Sequence, residues 1–284
     1  MAEEMSLVDI YQNALSSDYV VVDCEASSLD NLHNDLWLIG IGSKDWCCVL
    51  SKKELTPLFW EMFNDIFRQK KMVGHNIKFD LHILHRFGLK LETIEAADIE
   101  DTMLQSQLID ENGRHDLQSL FFQYYKQGRE EPRMKDMMKD FVDGKAEPLI
   151  NHCLRDIMDT AILWPDLQSE IERLGLVVAF TVEKKLLKVL WNMEKHGVLL
   201  DHNYLEEYNG LLDLDLANIQ REFPDGINLV SPKQVGEYLY GTLGIEPKMK
   251  TPTGLNSTSD DAFKLLKSPV ADKILYYRTL SHTK

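Results

Sequence analysis

The segment YVVVDCE, residues 19–25, constrains the fold of this chain more than any other stretch. Its apolar residues predict a buried β-strand. Residues two apart in a strand lie on the same face of the sheet, so Asp23 and Glu25 are expected to form a pair of carboxylates at the strand end. Two solvated acids just past a strand are common, and the segment alone leaves that interpretation open.

Apolar periodicity predicts a mixed α/β region followed by a helical region, with the boundary near residues 165–180. Further strands are predicted at 36–43 and 45–51, joined as a hairpin, and at 71–75. Helices are predicted at 5–14, 52–69, 76–88, 101–109, 116–125, 147–164 and 167–195. The charged residues 126–146 lack a clear pattern and are expected to form a loop or a weakly packed helix.

The net charge of −15 is unevenly distributed along the chain. Residues 181–284 contain 13 Lys and Arg against 14 Asp and Glu, so nearly all of the negative charge lies in residues 1–180. A strongly acidic protein binds nucleic acid poorly by itself, because neutralising phosphates requires basic side chains. Divalent cations held by the acids are one way to offset that repulsion.

Composition also indicates the cellular location expected for the protein. No apolar run approaches the roughly 20 residues that span a bilayer, and the acidic start MAEEMSLVDI lacks the features of a signal peptide. The four cysteines show neither disulfide nor zinc-site spacing. A reducing, cytoplasmic location without a membrane partner is therefore expected.

Two further acids lie next to predicted elements. Asp80 opens the helix that follows the strand at 71–75, and Asp156 lies among apolar residues of the helix at 147–164. If these acids meet the pair from the first strand, their mutual repulsion requires a bound cation. Carboxylate oxygens suit Mg²⁺ or Mn²⁺, and two such ions about 4 Å apart support in-line phosphoryl transfer without a covalent nucleophile.

Ordered motifs in residues 19–165 resemble those of the DEDD 3′→5′ exonucleases. They are the DxE pair at 23–25, NIKFD at 76–80, ADIEDTMLQSQLI at 97–109, GRHDLQSL at 113–120, and Asp156 followed by Thr160. The rest of the chain resembles the segment that follows the exonuclease in DNA polymerase I-type (family A) polymerases and enters the thumb, which grips the primer–template duplex. The strings that carry this resemblance lie at 183–201, 228–240, 251–266 and 274–280.

The resemblance implies an α/β fold, with an RNase H-like exonuclease domain at residues 1–175 and a helical, thumb-like segment at 176–284. The implied activity is removal of mismatched 3′-terminal nucleotides from DNA, with two Mg²⁺ or Mn²⁺ ions as cofactors. No motif matches the palm or fingers of the family, so this chain alone is not expected to polymerise. Those parts belong either to a longer protein or to a separate partner polypeptide.

The same resemblance assigns roles to individual residues. Four carboxylates are implied to bind the metal ions, the first of them serving both sites: Asp23, Glu25, Asp80 and Asp156. A leucine that wedges against the terminal bases and two residues that touch the 3′ end are implied at Leu29, Asn76 and Arg114. Contacts with the duplex backbone are implied at Ser231, Lys233, Gln234, Lys250, Thr253, Ser257 and Thr258. Ser231 and the proline after it equally suit the start of a helix.

One position departs from the family pattern. The tyrosine subgroup has a Tyr four residues before the last Asp, where this chain has His152, and the histidine subgroup has a His one residue earlier, where this chain has Asn151. His152 shares a helix face with Asp156 and is expected to act as a general base near neutral pH. Two alternatives stay open: a non-catalytic DNA-binding or polymerase-partner subunit whose site has decayed, and an exoribonuclease, against which the thumb-like strings argue.

Overall fold

A five-stranded mixed sheet organises the first part of the chain in the computed structural model, which describes residues 5–30 and 32–284. The strands are β1 (Tyr19–Ala26), β2 (Leu36–Ser43), β3 (Trp46–Ser51), β4 (Lys71–Gly74) and β5 (Asp98–Asp101). Their order is β3-β2-β1-β4-β5, and β1 is antiparallel to β2 but parallel to β4. The predicted hairpin is confirmed as β2 and β3, and the predicted α/β class is confirmed with it.

Helices lie on both sides of this sheet, some in contact with its strands and others packed on neighbouring helices. They are α1 (Leu7–Ser16), α2 (Pro57–Gln69), α3 (Ile77–Phe87), α4 (Leu91–Ala96), α5 (Thr102–Ile109), α6 (Leu117–Tyr125), α7 (Met134–Val142), α8 (Glu147–Arg173) and α9 (Val177–His196). The even-numbered apolar residues of β1 pack into the large core with α1, α2 and α3, whereas Tyr19 and Val21 pack on Ile157 of α8. Asp23 and Glu25 continue the odd-numbered series and therefore lie together on the α8 side; their spacing had predicted the shared face.

The predicted long helix at 167–195 is wrong. α8 continues from the preceding segment to Arg173, and α9 begins at Val177. Between them Gly175 adopts φ 71°, a left-handed conformation that glycine accepts at little cost. The chain therefore turns where apolar periodicity alone suggested one continuous helix.

β5 was not predicted from the sequence, because three of its four residues are acidic. Glu100 in this strand is only 3% exposed. Its carboxylate lies 3.0 Å from Lys71 Nζ and 2.9 Å from Lys184 Nζ, and it accepts a hydrogen bond from Trp164 Nε1 at 2.7 Å. These partners, all distant in sequence, allow an acidic strand to be buried.

The first compact unit ends at Gly197, beyond the boundary of 175 predicted for the first domain. Leu187 and Trp191 of α9 are buried in the same core as β1. The Trp191 ring packs beside the rings of His82 and His85 on α3, with centroids 5.6 and 5.4 Å apart. α9 therefore belongs structurally with the sheet.

The second compact unit, Val198–Lys284, is mainly helical, as predicted. It contains α10 (His202–Gln220), α11 (Pro232–Gly236), a π-helical turn (Glu237–Thr242), α12 (Asp260–Leu266) and α13 (Pro269–Thr283). Its core is formed by Phe223, Leu229, Val235, Leu239, Phe263, Ala271 and Ile274. In residues 5–30 and 32–284, no helix is both long and apolar enough to cross a membrane.

Candidate active site

The two carboxylates of β1 lie where one neighbouring strand has ended. β4 pairs with β1 only from Tyr19 to Val21, whereas β2 remains paired beside the acids, with Asp23 opposite Gly40. Asp23 is partly buried, and Glu25 is 9% exposed. Because β4 no longer flanks β1 here, side chains from helices can approach this end of the strand.

Helix α3 supplies the third acid at this point. Asp80 lies in the first turn of α3 and is 3% exposed. Its Oδ1 accepts a hydrogen bond from the backbone N–H of Cys24 at 2.8 Å. The bond satisfies a backbone donor of β1 and fixes Asp80 beside the residue that separates Asp23 from Glu25.

Helix α8 brings the fourth acid close, because β2 carries glycine where the helix packs on it. A Cβ at Gly40 would lie 2.7 Å from Cys153 Sγ and 2.8 Å from Ile157 Cγ1. Such distances are too short for any side chain, so glycine permits this approach of α8. Asp156 on the same helix comes near enough for its charge to act on the acids of β1.

Burial and mutual repulsion oppose ionisation of this cluster. Burial, and then the negative charge of Asp156, raises the pKa of Asp23 to about 7. Burial and the charge of Asp23 raise the pKa of Glu25 to about 10. The same two causes raise the pKa of Asp80 well above its ordinary value. The sequence-predicted acids thus lie close enough to interact: Asp23, Glu25 and Asp80 oppose one another's ionisation, and the charge of Asp156 adds to the repulsion on Asp23 and Glu25.

The chemistry of these donors fits a hard divalent cation. One oxygen from each of Asp23 and Glu25, together with Cys153 Sγ, all lie within 4.8 Å of one another. Burial raises the pKa of the Cys153 thiol well above its ordinary value, and a soft sulfur ligand suits Mg²⁺ or Mn²⁺ poorly. The carboxylate oxygens are the ligands that Mg²⁺ and Mn²⁺ prefer, and a cation among them would offset the repulsion.

His152 faces the acid cluster from one turn before Asp156. Its Nε2 lies 3.5 Å from Asp156 Oδ2 and 3.9 Å from Glu25 Oε1. Its Nδ1 lies 2.9 Å from Glu131 Oε2, within hydrogen-bond distance. The side chain is largely buried, so the structure gives the imidazole one orientation, with Nε2 toward the acids.

Two residues of this site were not singled out from the sequence, Arg129 and Glu131. Both belong to the charged segment 126–146, and the first part of this segment is a loop, as predicted. The two side chains nevertheless lie at the site rather than in solvent. Arg129 Nη2 lies 2.7 Å from Asp156 Oδ1 and 3.0 Å from Asp159 Oδ2. Both contacts are ion pairs rather than hydrogen bonds. No spacing rule links this loop to α8, so no pattern in the sequence indicated the pairing.

The residues predicted at the 3′ end are accessible. Leu29 is 91% exposed in the loop after β1, and the Arg114 side chain is 85% exposed. Asn76 is exposed at the start of α3 with φ 60°, a conformation that Asn adopts more readily than most residues. Its backbone N–H donates to Asp101 Oδ1 at 3.0 Å, so a buried carboxylate holds this turn in place.

The residues predicted to contact duplex DNA lie in the second unit and differ in exposure. Lys233, Gln234, Lys250 and Thr253 are exposed. Ser231 caps α11, and its Oγ accepts from the Gln234 N–H at 3.5 Å, which is the helix-start interpretation. Ser257 is only 7% exposed, and its Oγ lies 3.0 Å from Ser259 Oγ. Ser257 and Thr258 line a cavity of about 790 Å³.

Comparison with known proteins gives a family and several relatives. The model of a family described as "3'-5' exonuclease" matches residues 2–172. The chain is 26% identical to DNA polymerase DpoZ of Acinetobacter phage SH-Ab 15497, over 93% of this chain and 47% of that protein. It is 31% identical to DNA polymerase I of Treponema pallidum (strain Nichols), over 74% of this chain and 22% of that protein. The chain therefore spans less than half the length of these curated relatives.

A solved structure shares the fold. The POL domain of Pol1 from M. smegmatis, in complex with DNA primer-template and dNTP, matches 99% of this chain and 48% of its own, with a TM-score of 0.73 and 19% identity. At that identity the likeness concerns the fold alone. It confirms the predicted architecture of an exonuclease-like α/β part followed by a helical part.

Proposed function

The chain belongs to the 3′-5′ exonuclease family of family A DNA polymerases, and from that membership we propose that it hydrolyses DNA from the 3′ end with two divalent metal ions, in a proofreading role. The observation that carries the proposal is the cluster of acids on β1 and α3, whose pKa values are raised by burial and mutual repulsion, with the charge of Asp156 on α8 adding to that repulsion. A cluster of this kind gains most from a divalent cation, and metal ions are what phosphodiester hydrolysis of this type requires.

Each residue of the cluster has a role in this proposal. The carboxylates that would hold Mg²⁺ or Mn²⁺ are Asp23, Glu25, Asp80 and Asp156. When bound, the ions supply the charge that activates a water molecule and stabilises the leaving 3′-oxygen. Nε2 of His152, directed at the same acids, accepts the proton of that water. Water adds across the terminal P–O3′ bond, so a nucleoside 5′-monophosphate leaves and the shortened strand keeps a 3′-hydroxyl.

Exposed residues of the first unit and polar residues of the second unit supply the proposed contacts with DNA. Leu29 packs on the terminal base, and Asn76 and Arg114 touch the sugar–phosphate of the 3′ end. In the second unit, phosphate contacts are proposed for Ser231, Lys233, Gln234, Lys250, Thr253, Ser257 and Thr258, whose hydroxyl, amide and ammonium groups suit backbone binding. The palm and fingers of a polymerase lie outside these residues in this proposal, either in the same protein or in a partner polypeptide.

The test is digestion of a 5′-labelled primer with a 3′ mismatch, annealed to its template, in Mg²⁺ or Mn²⁺. We expect stepwise shortening from the 3′ end. EDTA should abolish it, and so should the double substitution Asp23→Ala with Glu25→Ala, while the variant remains folded. Shortening that survives this substitution would contradict the proposed site.

One observation favours a second candidate, a non-catalytic DNA-binding subunit. The guanidinium of Arg129 lies 2.7 Å from Asp156 Oδ1 and competes with a cation for that carboxylate. In this case the protein binds the primer–template but leaves it intact with either metal, and the double alanine variant binds equally well. Faster shortening of an RNA strand of the same sequence would instead identify an exoribonuclease.

A further inference from the structure

We propose that Glu131 is a positioning residue that orients the His152 imidazole so that its Nε2 faces the acid cluster. The inference rests on the proposed exonuclease function, which it deepens by giving His152 a partner. Glu131 lies in the charged loop before α7, outside the motifs that resemble those of the family. The geometry of the ring carries the inference.

The two ring nitrogens of His152 have different surroundings. Nδ1 lies 2.9 Å from Glu131 Oε2, and an ionised carboxylate only accepts hydrogen bonds. Nδ1 is therefore the nitrogen that carries hydrogen, and Nε2 is the nitrogen that is free to accept. Nε2 is also the atom that faces Asp156 Oδ2 at 3.5 Å and Glu25 Oε1 at 3.9 Å. A carboxylate behind the ring thus selects both the tautomer and the orientation.

Glu131 is itself held firmly enough to impose this geometry. Its Oε1 lies 3.2 Å from Nη1 of both Arg129 and Arg155, and its Oε2 also accepts from Gln118 Nε2 at 3.1 Å. The Glu131 side chain is 8% exposed. Burial opposes its ionisation, but the hydrogen bond from His152 and the charge of Arg129 outweigh burial and lower its pKa. The carboxylate is therefore charged and fixed at neutral pH.

The same contacts allow a rival explanation in which Glu131 only fastens the loop to α8. The two explanations differ when residue 152 is tyrosine, the residue of the tyrosine subgroup at this position. Its single hydroxyl has no second ring nitrogen for Glu131 to bind. A positioning role therefore disappears in a His152→Tyr background, whereas a fastening role persists there.

The experiment compares Glu131→Gln with Glu130→Gln, the matched control at the exposed neighbouring glutamate. Nitrogen NMR of the His152 ring, in metal-free protein, is expected to show the Nδ1–H tautomer in the parent and in Glu130→Gln. A tautomer mixture is expected in Glu131→Gln. On the mismatched primer–template with Mn²⁺, Glu131→Gln should lower kcat by roughly 10- to 100-fold with KM little changed. In the His152→Tyr background, the same substitution should leave kcat within about twofold.

Three results would overturn the inference. The first is an unchanged tautomer in Glu131→Gln. The second is an equal loss of kcat in the parent and the His152→Tyr background. The third is a loss explained entirely by a lower melting temperature. If the parent protein shows no exonuclease activity at all, the proposed function fails, while the tautomer measurement still decides whether Glu131 orients the ring.

Discussion

Replacing Glu25 by Gln should stabilise the metal-free protein at neutral pH and remove its stabilisation by Mg²⁺. Burial and the charge of Asp23 raise the pKa of Glu25 from 4.5 to about 10. The folded state therefore keeps a proton that the unfolded state releases above pH 4.5. It follows that the free energy of unfolding falls as pH rises from 4.5 toward 10. Gln resembles the protonated acid in shape and does not titrate.

The size of the effect follows from the same numbers. Between pH 4.5 and pH 7 each pH unit costs about 1.4 kcal/mol, so Glu25→Gln should gain at most about 3.5 kcal/mol at pH 7 and almost nothing near pH 4.5. Entry of water and relaxation reduce this upper limit. In a unit of this size, this upper limit corresponds to a rise in melting temperature of roughly 7–14 °C.

The assay is thermal melting followed by tryptophan fluorescence in EDTA, at pH 5 and pH 7. All five tryptophans of the chain lie in the first unit, so the signal reports on the fold that holds the site. Added Mg²⁺ should raise the melting temperature of the parent but not of Glu25→Gln. Glu61→Gln, at an exposed glutamate of α2, is the control and should change neither. A Glu25→Gln protein that melts no higher than the parent at pH 7 in EDTA would refute the reasoning.

Three further predictions concern the frame around the site. Gly40→Ala places a Cβ 2.7 Å from Cys153 Sγ, so the free energy of unfolding measured in urea should fall by about 1–3 kcal/mol. Gly128→Ala is the control and should cause no loss, because the nearest atom to its Cβ is 3.9 Å away. Trp191→Ala should lower the same free energy of unfolding by about 3–5 kcal/mol, because the ring is 1% exposed in the core of the first unit. A loss below about 1 kcal/mol would mean that α9 is not part of that core. Asp101→Ala removes an acceptor of four backbone N–H groups, so the free energy of unfolding should fall by about 1–3 kcal/mol. Amide exchange at the start of α3 and α5 should become faster, and unchanged exchange there would contradict this role of Asp101.

Much of the first unit could be predicted from local patterns. The alternation in β1 placed Asp23 and Glu25 on one face, and helical periodicity after β4 placed Asp80 in the first turn of α3. Both inferences succeed because side-chain direction in a strand or helix is set by the local backbone. The patterns failed at β5 and at Gly175. The acidic residues of β5 are typical of an exposed segment, although the strand is buried. At Gly175 a single left-handed residue ends a helix within an apolar run.

The sequence by itself determined which acids are available and which way each one points from its own element. Only the tertiary structure decided which other charged side chains pair with these acids and with His152. Arg129 and Glu131 reach α8 from a loop without periodicity, and their pairing with Asp156 and His152 depends on where that loop closes on the helix. Spacing along the chain carries no information about such closure. It is decided by burial, which makes an unpaired charge too costly and so selects partners that lie far apart in sequence.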